Sequence, residues 1–76
     1  MSDAHPVLLY TRTGCSHCDA KRAELEHRGA RITEINVSER PQAVTELLKL
    51  TNGRRIVPVI VERGRVEVAP AGGSEF

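Results

Sequence analysis

Two cysteines separated by two residues are the part of this sequence that most directly indicates chemistry. Cys15 and Cys18 are the only cysteines in the 76 residues. A disulfide across so short a loop would add little stability, because that gain grows with the logarithm of the loop length. The pair therefore indicates thiol–disulfide redox chemistry or metal ligation rather than a structural bridge.

The position of Cys15 predicts a reactive thiolate. Cys15 follows Gly14 and precedes a segment of helix-forming residues that begins at Ser16. The first-turn N–H groups and the positive end of the helix dipole should therefore face its sulfur. Arg12 and a protonated His17 would add positive charge. Such surroundings lower a cysteine pKa from about 8.5 to roughly 3.5–7.5.

Cys18 lies one helical turn further along the chain, and its deeper position should keep its pKa higher. A thiolate attacks a disulfide, whereas a thiol does not. We therefore predict that Cys15 attacks the substrate disulfide and that Cys18 then attacks the resulting mixed disulfide. These two residues are the predicted catalytic pair.

Metal binding is the alternative for the same residues. Cys15, His17 and Cys18 could contribute to a zinc or iron–sulfur site, but a zinc site requires four ligands. The other histidines, His5 and His27, are remote in the sequence. One chain falls short in ligand number, so we expect no metal, and a cluster shared by two chains stays open as an alternative.

The residues around the cysteines predict the elements that position them. Short apolar runs predict strands, and Ala, Glu, Lys and Leu-rich stretches predict helices. Ser38 is the expected N-cap of the second helix. The order β-α-β-α-β-β predicts an α/β fold with a four-stranded mixed sheet, its first two strands parallel and its last two antiparallel. The predicted elements are strands at 7–11 and 31–37, helices at 16–28 and from Pro41 to Asn52, and a hairpin of 56–61 with 66–68 around a turn at 62–65.

Composition excludes several classes of partner. Lys and Arg number 11 against 10 Asp and Glu, so the net charge of +1 gives no general attraction to nucleic acid or to a membrane. One Tyr and one Phe offer little base stacking. No apolar run approaches the roughly 18 residues of a membrane helix, and residues 1–6 lack the order of a signal peptide. We expect a cytoplasmic protein with one domain over 1–76, in which 69–76 form an irregular tail.

Three motifs resemble those of the glutaredoxin family. Tyr10–Lys21 (YTRTGCSHCDAK) is similar to its first strand and active site, Gly53–Ile60 (GRRIVPVI) to the stretch that leads to its cis-proline, and Gly72-Gly73 to its late double glycine. The resemblance extends from about Val7 to Gly73, and it is to short bacterial members, here with a Cys-Ser-His-Cys active site. It implies a thioredoxin-like fold of the glutaredoxin type, with a C-terminal helix that is short or absent.

The resemblance also implies a binding site for glutathione as reductant and co-substrate. Two arginines would flank a groove for its carboxylates. The residue before the cis-proline would offer its main-chain N–H and C=O to an extended substrate cysteine, like one more strand. N–H groups after the double glycine would hold one carboxylate. The residues so implied are Arg12, Arg55, Val57, Pro58, Gly72, Gly73 and Ser74.

These features together predict a monomeric glutathione-dependent oxidoreductase that reduces protein disulfides or glutathione mixed disulfides through Cys15 and Cys18. Ser16 and His17 replace the Pro and aromatic residue usual in the family, and extra residues delay the double glycine. Two alternatives therefore stay open. One is a redoxin reduced by thioredoxin reductase and serving ribonucleotide reductase. The other is an iron–sulfur carrier in which two chains and two glutathiones hold one cluster.

Overall fold

The computed structural model describes residues 6–76, in which two helices pack on opposite faces of a mixed β-sheet. Residues 1–5, which include His5 and most of the segment compared with a signal peptide, lie outside the described residues. The strands are Pro6–Thr11 (β1), Arg31–Asn36 (β2), Ile56–Val57 (β3), Val59–Glu62 (β4), Arg65–Val68 (β5) and Ser74–Glu75 (β6), and the helices are Ser16–His27 (α1) and Val44–Thr51 (α2), the latter preceded by a 3-10 helix at Pro41–Ala43.

The main sheet has the strand order β2-β1-β4-β5. β1 and β2 are parallel, whereas β1 with β4 and β4 with β5 are antiparallel. The predicted four-stranded mixed sheet is confirmed. Arg63 and Gly64 join β4 to β5 with φ angles of 52° and 76°, and two successive residues of positive φ are typical of the tight hairpin turn that matches strand twist.

Alternate residues of β1 face two separate clusters of buried side chains. Leu9 packs with Leu25 of α1 on one face, and Tyr10 packs with Leu47 of α2 on the other. This alternation follows from the two-residue period of a strand. Both cysteines belong to the cluster that includes Tyr10 and Leu47, so the site is built into one of the two cores.

The predicted hairpin differs from the structure at its first strand. The peptide bond between Val57 and Pro58 is cis, as the family resemblance implies, and it separates β3 from β4. Pro58 has no N–H to give to a ladder. Ile56–Val57 therefore leaves the main sheet and pairs antiparallel with Ser74–Glu75 in a second, two-stranded sheet.

The expectation of an irregular tail at 69–76 is wrong for its last residues. Ser74–Glu75 is strand β6, and the N–H of Phe76 donates to the carbonyl of Arg55 at 3.0 Å. The sequence shows no alternating pattern of apolar and polar residues here. The strand forms through its pairing with β3 and through the contacts of the neighbouring Phe76. The division of the chain into one domain stays a prediction.

The expected N-cap role of Ser38 is also wrong. The helical segment begins at Pro41, as predicted, but the residue in the N-cap position is Arg40, which makes no side-chain cap. The hydroxyl of Ser38 instead accepts the N–H of Thr13 at 3.2 Å. Ser38 thus supports the loop that leads to the cysteines.

None of the helices within residues 6–76 is long and apolar enough to cross a membrane.

Candidate active site

The site is organised around the N-terminus of α1, where Cys15 is the N-cap residue. Its backbone is extended, and its sulfur accepts the N–H of Cys18 at 3.2 Å. This bond satisfies one of the first-turn N–H groups that a helix leaves without an internal partner. A cysteine takes the place of the usual Ser, Thr, Asp or Asn cap, so the capping geometry directs helix donors at a sulfur atom.

The pKa of Cys15 is lowered from its usual value. Burial alone would raise it, since a charged sulfur is poorly solvated there. Hydrogen bonds from the side chains of Cys18 and Ser74, and from the main-chain N–H groups of Cys18 and His17, outweigh the burial. The charges of Arg12 and His17, which the sequence analysis invoked, are not among the interactions that lower this pKa within the described residues.

The pKa of Cys18 is shifted in the opposite direction, to about 12. Burial is the largest cause, since the residue is fully buried. The hydrogen bond to Cys15 and the charge of Cys15 raise it further, while the main-chain N–H of Arg12 partly opposes them. The two sulfurs therefore have the asymmetry that the sequence predicted, with a pKa that is lowered at Cys15 and raised at Cys18.

Val57 and Pro58 lie beside this pair. Val57 is fully buried in the same cluster as both cysteines, and the cis bond turns the chain at Pro58. Pro58 also lines a shallow groove of about 150 Å³ near the start of α1, together with His17, Ala20, Lys21, Glu24, Ala71 and Gly72.

The double glycine is required by close contacts on two sides. A Cβ on Gly73 would collide with the carbonyl oxygen of Val57 and would lie 2.8 Å from the Cβ of Ala69. A Cβ on Gly72 would lie 3.1 Å from Cε1 of His17, and the φ of Gly72 is +103°. Both glycines thus allow the last residues of the chain to approach the active-site loop and β3.

Ser74 has a contact that its position in the sequence does not predict. It was implied as a carboxylate-binding residue, whereas in the structure its side chain hydrogen-bonds to Cys15 and its main chain pairs with Val57. The only signal in the sequence was its position directly after the double glycine. Nothing local in Gly-Gly-Ser-Glu-Phe shows that a hydroxyl will meet a sulfur.

Arg55 makes two contacts with Phe76. Its Nε donates to the carbonyl oxygen of Phe76 at 2.8 Å, and its guanidinium lies 4.8 Å from the centre of the Phe76 ring. Arg12 is half-buried after β1, and its guanidinium makes no hydrogen bond or ion pair with residues 6–76. Arg12 and Arg55 thus have no contact in common that would mark the two sides of a glutathione groove.

Two polar networks hold the elements that carry the cysteines. Asn36 donates to the hydroxyl of Thr13 at 3.2 Å, which fixes the loop before Cys15. Behind α1, Arg22 makes two hydrogen bonds of 2.7 Å to the carboxylate of Glu34, and Thr11 donates to the same carboxylate at 2.7 Å. Sequence reasoning missed both networks, because their members are far apart along the chain.

No group of three His, Cys, Asp or Glu side chains in the described part of the chain could hold a metal ion. The two cysteines are both free thiols. An iron–sulfur cluster would therefore need ligands from outside the described residues, such as those that the two-chain alternative supposes.

Comparison with known proteins agrees with this geometry. A family model described as Glutaredoxin matches residues 7–67. The N-acetyl-S-hydroxy-L-cysteine reductase of Bacillus subtilis (strain 168) is 35% identical over 65 residues, which cover 86% of this chain and 68% of that protein. The glutaredoxin-like protein NrdH of Escherichia coli (strain K12) is 34% identical over 55 residues, which cover 72% of this chain and 65% of the relative.

A solved structure is also similar over most of the chain. It is the NrdH-redoxin from Escherichia coli, described as a glutaredoxin-like protein with a thioredoxin-like activity profile. It matches with a TM-score of 0.72 at 29% sequence identity, covering 91% of this chain and 83% of that one. The thioredoxin-like fold expected from the sequence is thereby confirmed.

Proposed function

The chain belongs to the glutaredoxin family and is a thiol–disulfide oxidoreductase, and we propose that it reduces protein disulfides by a mechanism in which Cys15 attacks and Cys18 resolves. The observation that carries the proposal is the opposite shift of the two thiol pKa values, lowered at Cys15 and raised to about 12 at Cys18. When the pKa of one thiol is lowered and that of the other is raised, the thiol with the lower pKa is the attacking sulfur at neutral pH.

The reaction balances as two exchanges. The thiolate of Cys15 attacks one sulfur of the substrate disulfide, whose S–S bond breaks, and the other substrate sulfur leaves as a thiolate. Cys18 then loses its proton and attacks the sulfur of Cys15. The second substrate thiolate leaves, and the two electrons that reduced the substrate have come from the Cys15–Cys18 pair, now a disulfide.

The structure offers a reason for the timing of the second step. Two of the interactions that raise the pKa of Cys18 are its hydrogen bond to Cys15 and the charge of Cys15. Both disappear when Cys15 becomes part of a neutral mixed disulfide. The pKa of Cys18 then falls, so the resolving thiol becomes more acidic only after the first attack has occurred.

We favour a protein reductase of the thioredoxin reductase type as the electron donor over glutathione. The guanidinium of Arg55, expected to bind a glutathione carboxylate, contacts Phe76, which glutathione would have to displace. The solved relative is described as having a thioredoxin-like activity profile. Glutathione binding by Arg12, Val57, Gly72 and Gly73 remains the competing proposal. A cytoplasmic location, a monomeric state and ribonucleotide reductase as protein substrate also stay proposals.

Turnover assays with each donor separate these two proposals. We expect reduction of insulin disulfides with thioredoxin reductase and NADPH, and slower or no reduction of a glutathione mixed disulfide with glutathione and glutathione reductase. The reverse ranking would assign the electrons to glutathione. Failure with both donors would contradict the oxidoreductase mechanism itself.

Replacement of each cysteine tests the assigned roles. Cys15→Ser removes the attacking sulfur and should abolish exchange, whereas Cys18→Ser should stop at the mixed disulfide and trap it. Mass spectrometry of the protein after reaction with a disulfide substrate checks both results. Equal trapping by the two variants would show that the roles are assigned wrongly.

A small sulfenic acid is a second candidate substrate, favoured by the similarity to N-acetyl-S-hydroxy-L-cysteine reductase and by the small groove beside Pro58. The thiolate of Cys15 would attack the sulfur of R–S–OH, hydroxide would leave as water after protonation, and Cys18 would release R–SH. Consumption of one NADPH per sulfenic acid in the coupled assay tests this candidate. No consumption above the Cys15→Ser background would exclude it.

The two-chain iron–sulfur carrier remains an alternative. It requires Cys15 and a glutathione sulfur from each of two chains. Visible absorption of protein reconstituted with iron, sulfide and glutathione under nitrogen tests it, with Cys15→Ser as the control. A colourless monomer after this treatment would contradict it.

A further inference from the structure

The last three residues described lie where the proposed reaction requires a substrate. Val57 is paired with Ser74, and Ile56 with Glu75, in an antiparallel ladder. The N–H of Phe76 continues this ladder by donating to the carbonyl of Arg55. An extended peptide that adds to the edge of β3 would need the same main-chain groups, so this edge already carries a strand of the chain itself.

The side chain of Ser74 completes the likeness to a substrate. Serine is cysteine with oxygen in place of sulfur, and the side chain of Ser74, placed opposite Val57, lies near enough to Cys15 to lower the pKa of its thiol. A substrate cysteine attacked by Cys15 must place its sulfur against the same atom. Main-chain pairing with Val57 and contact with Cys15 therefore coincide in one residue of the chain.

Contacts on both sides hold the segment in this place. On one side, Gly73 approaches the carbonyl of Val57 so closely that any side chain would collide. On the other, Phe76 packs against the core cluster that includes the cysteines, and its ring lies under the guanidinium of Arg55. A cation over an aromatic face is attractive.

The burial of Cys15 gives this arrangement a consequence. Only 1% of the residue is exposed, although a thiolate must approach a disulfide along the axis of the S–S bond. A protein disulfide cannot reach the sulfur while the segment stays on β3. Reaction therefore requires the segment to leave β3. The observed reactivity of Cys15 is then proportional to the fraction of molecules in which the segment has left.

We propose that Ser74–Phe76 is an internal pseudosubstrate strand, which a partner replaces with an extended segment of the type Cys-x-aromatic. The partner cysteine takes the place of Ser74, and its aromatic side chain two residues later takes the place of Phe76 against Arg55. This inference rests on the proposed role of Cys15 as the attacking sulfur, and it adds the chemistry of the partner segment.

A cysteine substituted at position 74 tests the placement. In a Cys18→Ser, Ser74→Cys double variant, the thiolate of Cys15 attacks glutathione disulfide and releases one glutathione as thiolate. The new thiol at position 74 then attacks the sulfur of Cys15 and releases the second glutathione. We expect an internal disulfide between positions 15 and 74, identified by peptide mapping, with no glutathione left on the protein.

The matched control is Cys18→Ser, Glu75→Cys, because adjacent residues of a strand point to opposite faces. Here the mixed disulfide between Cys15 and glutathione should persist. Persistence of that mixed disulfide in the Ser74→Cys variant as well would overturn the inference while leaving Cys15 a competent nucleophile. A Cys15 that reacts in neither variant would overturn the proposed function together with the inference.

Phe76→Ala tests whether the segment limits access. The variant loses the ring contact with Arg55, worth about twofold to fivefold in an equilibrium at an exposed site. Above the pKa of Cys15, where all of the sulfur is thiolate, its limiting alkylation rate with iodoacetamide should rise by about this factor. An unchanged limiting rate would show that the segment does not gate the sulfur.

Two peptides test the partner chemistry. Glutathione mixed disulfides of an Ala-Cys-Glu-Phe-Ala and an Ala-Cys-Glu-Ala-Ala peptide should differ in kcat/KM by about twofold to fivefold in favour of the first. The ratio should approach one with the Arg55→Ala variant, which cannot bind the ring in this way. Equal values for the unmodified protein would overturn the proposed partner segment.

Discussion

At Cys15, the energy of a buried charge is opposed by several hydrogen bonds, and their balance decides whether the sulfur reacts. Burial by itself favours the thiol, yet donors from Ser74, Cys18 and the first turn of α1 shift the pKa below its usual value. Removal of any one donor moves this balance back. The pKa of Cys15 is therefore set by several hydrogen bonds together and not by the Cys-x-x-Cys spacing alone.

Ser74→Ala removes one of these donors and should raise the pKa of Cys15. Because the thiolate is the reacting form, the midpoint of the profile of alkylation rate against pH should move to higher pH, while the limiting rate at high pH reports access to the sulfur separately. The profile of alkylation rate against pH measures this midpoint. Ser74→Thr, which retains a hydroxyl, should restore much of the shift, and identical midpoints in all three proteins would contradict the contact.

At the scale of elements, α1 and β6 meet across the site, and each depends on contacts made outside its own span. The N-terminus of α1 supplies N–H groups to the sulfur of Cys15, while β6 is placed by β3 and by the closeness of Gly73 to Val57. A two-residue strand has little stability of its own. Its position therefore depends on the absence of a side chain at Gly73.

Gly73→Ala should displace β6. The added Cβ meets main-chain and Cβ atoms rather than a flexible side chain, so we expect a loss of about 1–3 kcal/mol in the free energy of unfolding and a higher pKa of Cys15. Chemical denaturation and the alkylation profile measure the two effects.

Gly29→Ala is the control for Gly73→Ala. Its Cβ would enter open space, but the φ of +76° makes the substitution strained. It should lower stability by about 1 kcal/mol without moving the pKa of Cys15. A shift of that pKa in both variants would indicate general loosening instead of displacement of β6.

The ion pair of Arg22 and Glu34 joins α1 to β2 and makes stability depend on pH. The hydrogen bonds from Arg22 lower the pKa of Glu34, so its contribution is present above the unfolded value of about 4.3 and is lost as pH falls through the folded value. Glu34→Gln should lower the free energy of unfolding at pH 7 by about 1 kcal/mol. It should also make the loss of stability at acidic pH (the acid limb) less steep. Urea unfolding at several pH values, with Glu67→Gln as control, measures this; an unaltered acid limb would contradict it.

For the whole molecule, the sheet has a separate hydrophobic core on each face, and only one of these cores includes the cysteines. Leu47 is buried in the cluster that includes both cysteines, and Leu25 in the cluster that includes neither. Leu47→Ala and Leu25→Ala should each lower stability by about 2–5 kcal/mol. Only Leu47→Ala should also loosen the burial that raises the pKa of Cys18. Thiol titration in the folded state measures this, and equal effects on Cys18 would show that the cores are not separate.

Most of the fold could be predicted from the sequence, because its signals are local. Apolar runs marked the first strands, helix-forming residues marked α1, and Gly64 marked the hairpin turn. The part that could not be predicted depends on contacts between distant residues. Ser38 has the composition of a helix cap yet supports Thr13, and Ser74–Glu75 forms a strand only because Val57 lies opposite.

The candidate site divides in the same way. The spacing of Cys15 and Cys18, and the position of Cys15 directly before α1, predicted which thiol would have the lower pKa, since helix geometry follows from local sequence. The arginines did not follow, because the partner of Arg55 is the ring and carbonyl of Phe76. A charged side chain carries no sequence signal for which of several possible acceptors it will meet.

The packing of Tyr10 provides an optical readout of the active site. The protein has one tyrosine and no tryptophan, and that tyrosine is packed in the same buried cluster as Cys15 and Cys18. A disulfide near a phenol quenches its fluorescence more strongly than two thiols do. Ultraviolet emission from a single native chromophore should therefore follow each turnover in real time, without a label attached near the cysteines.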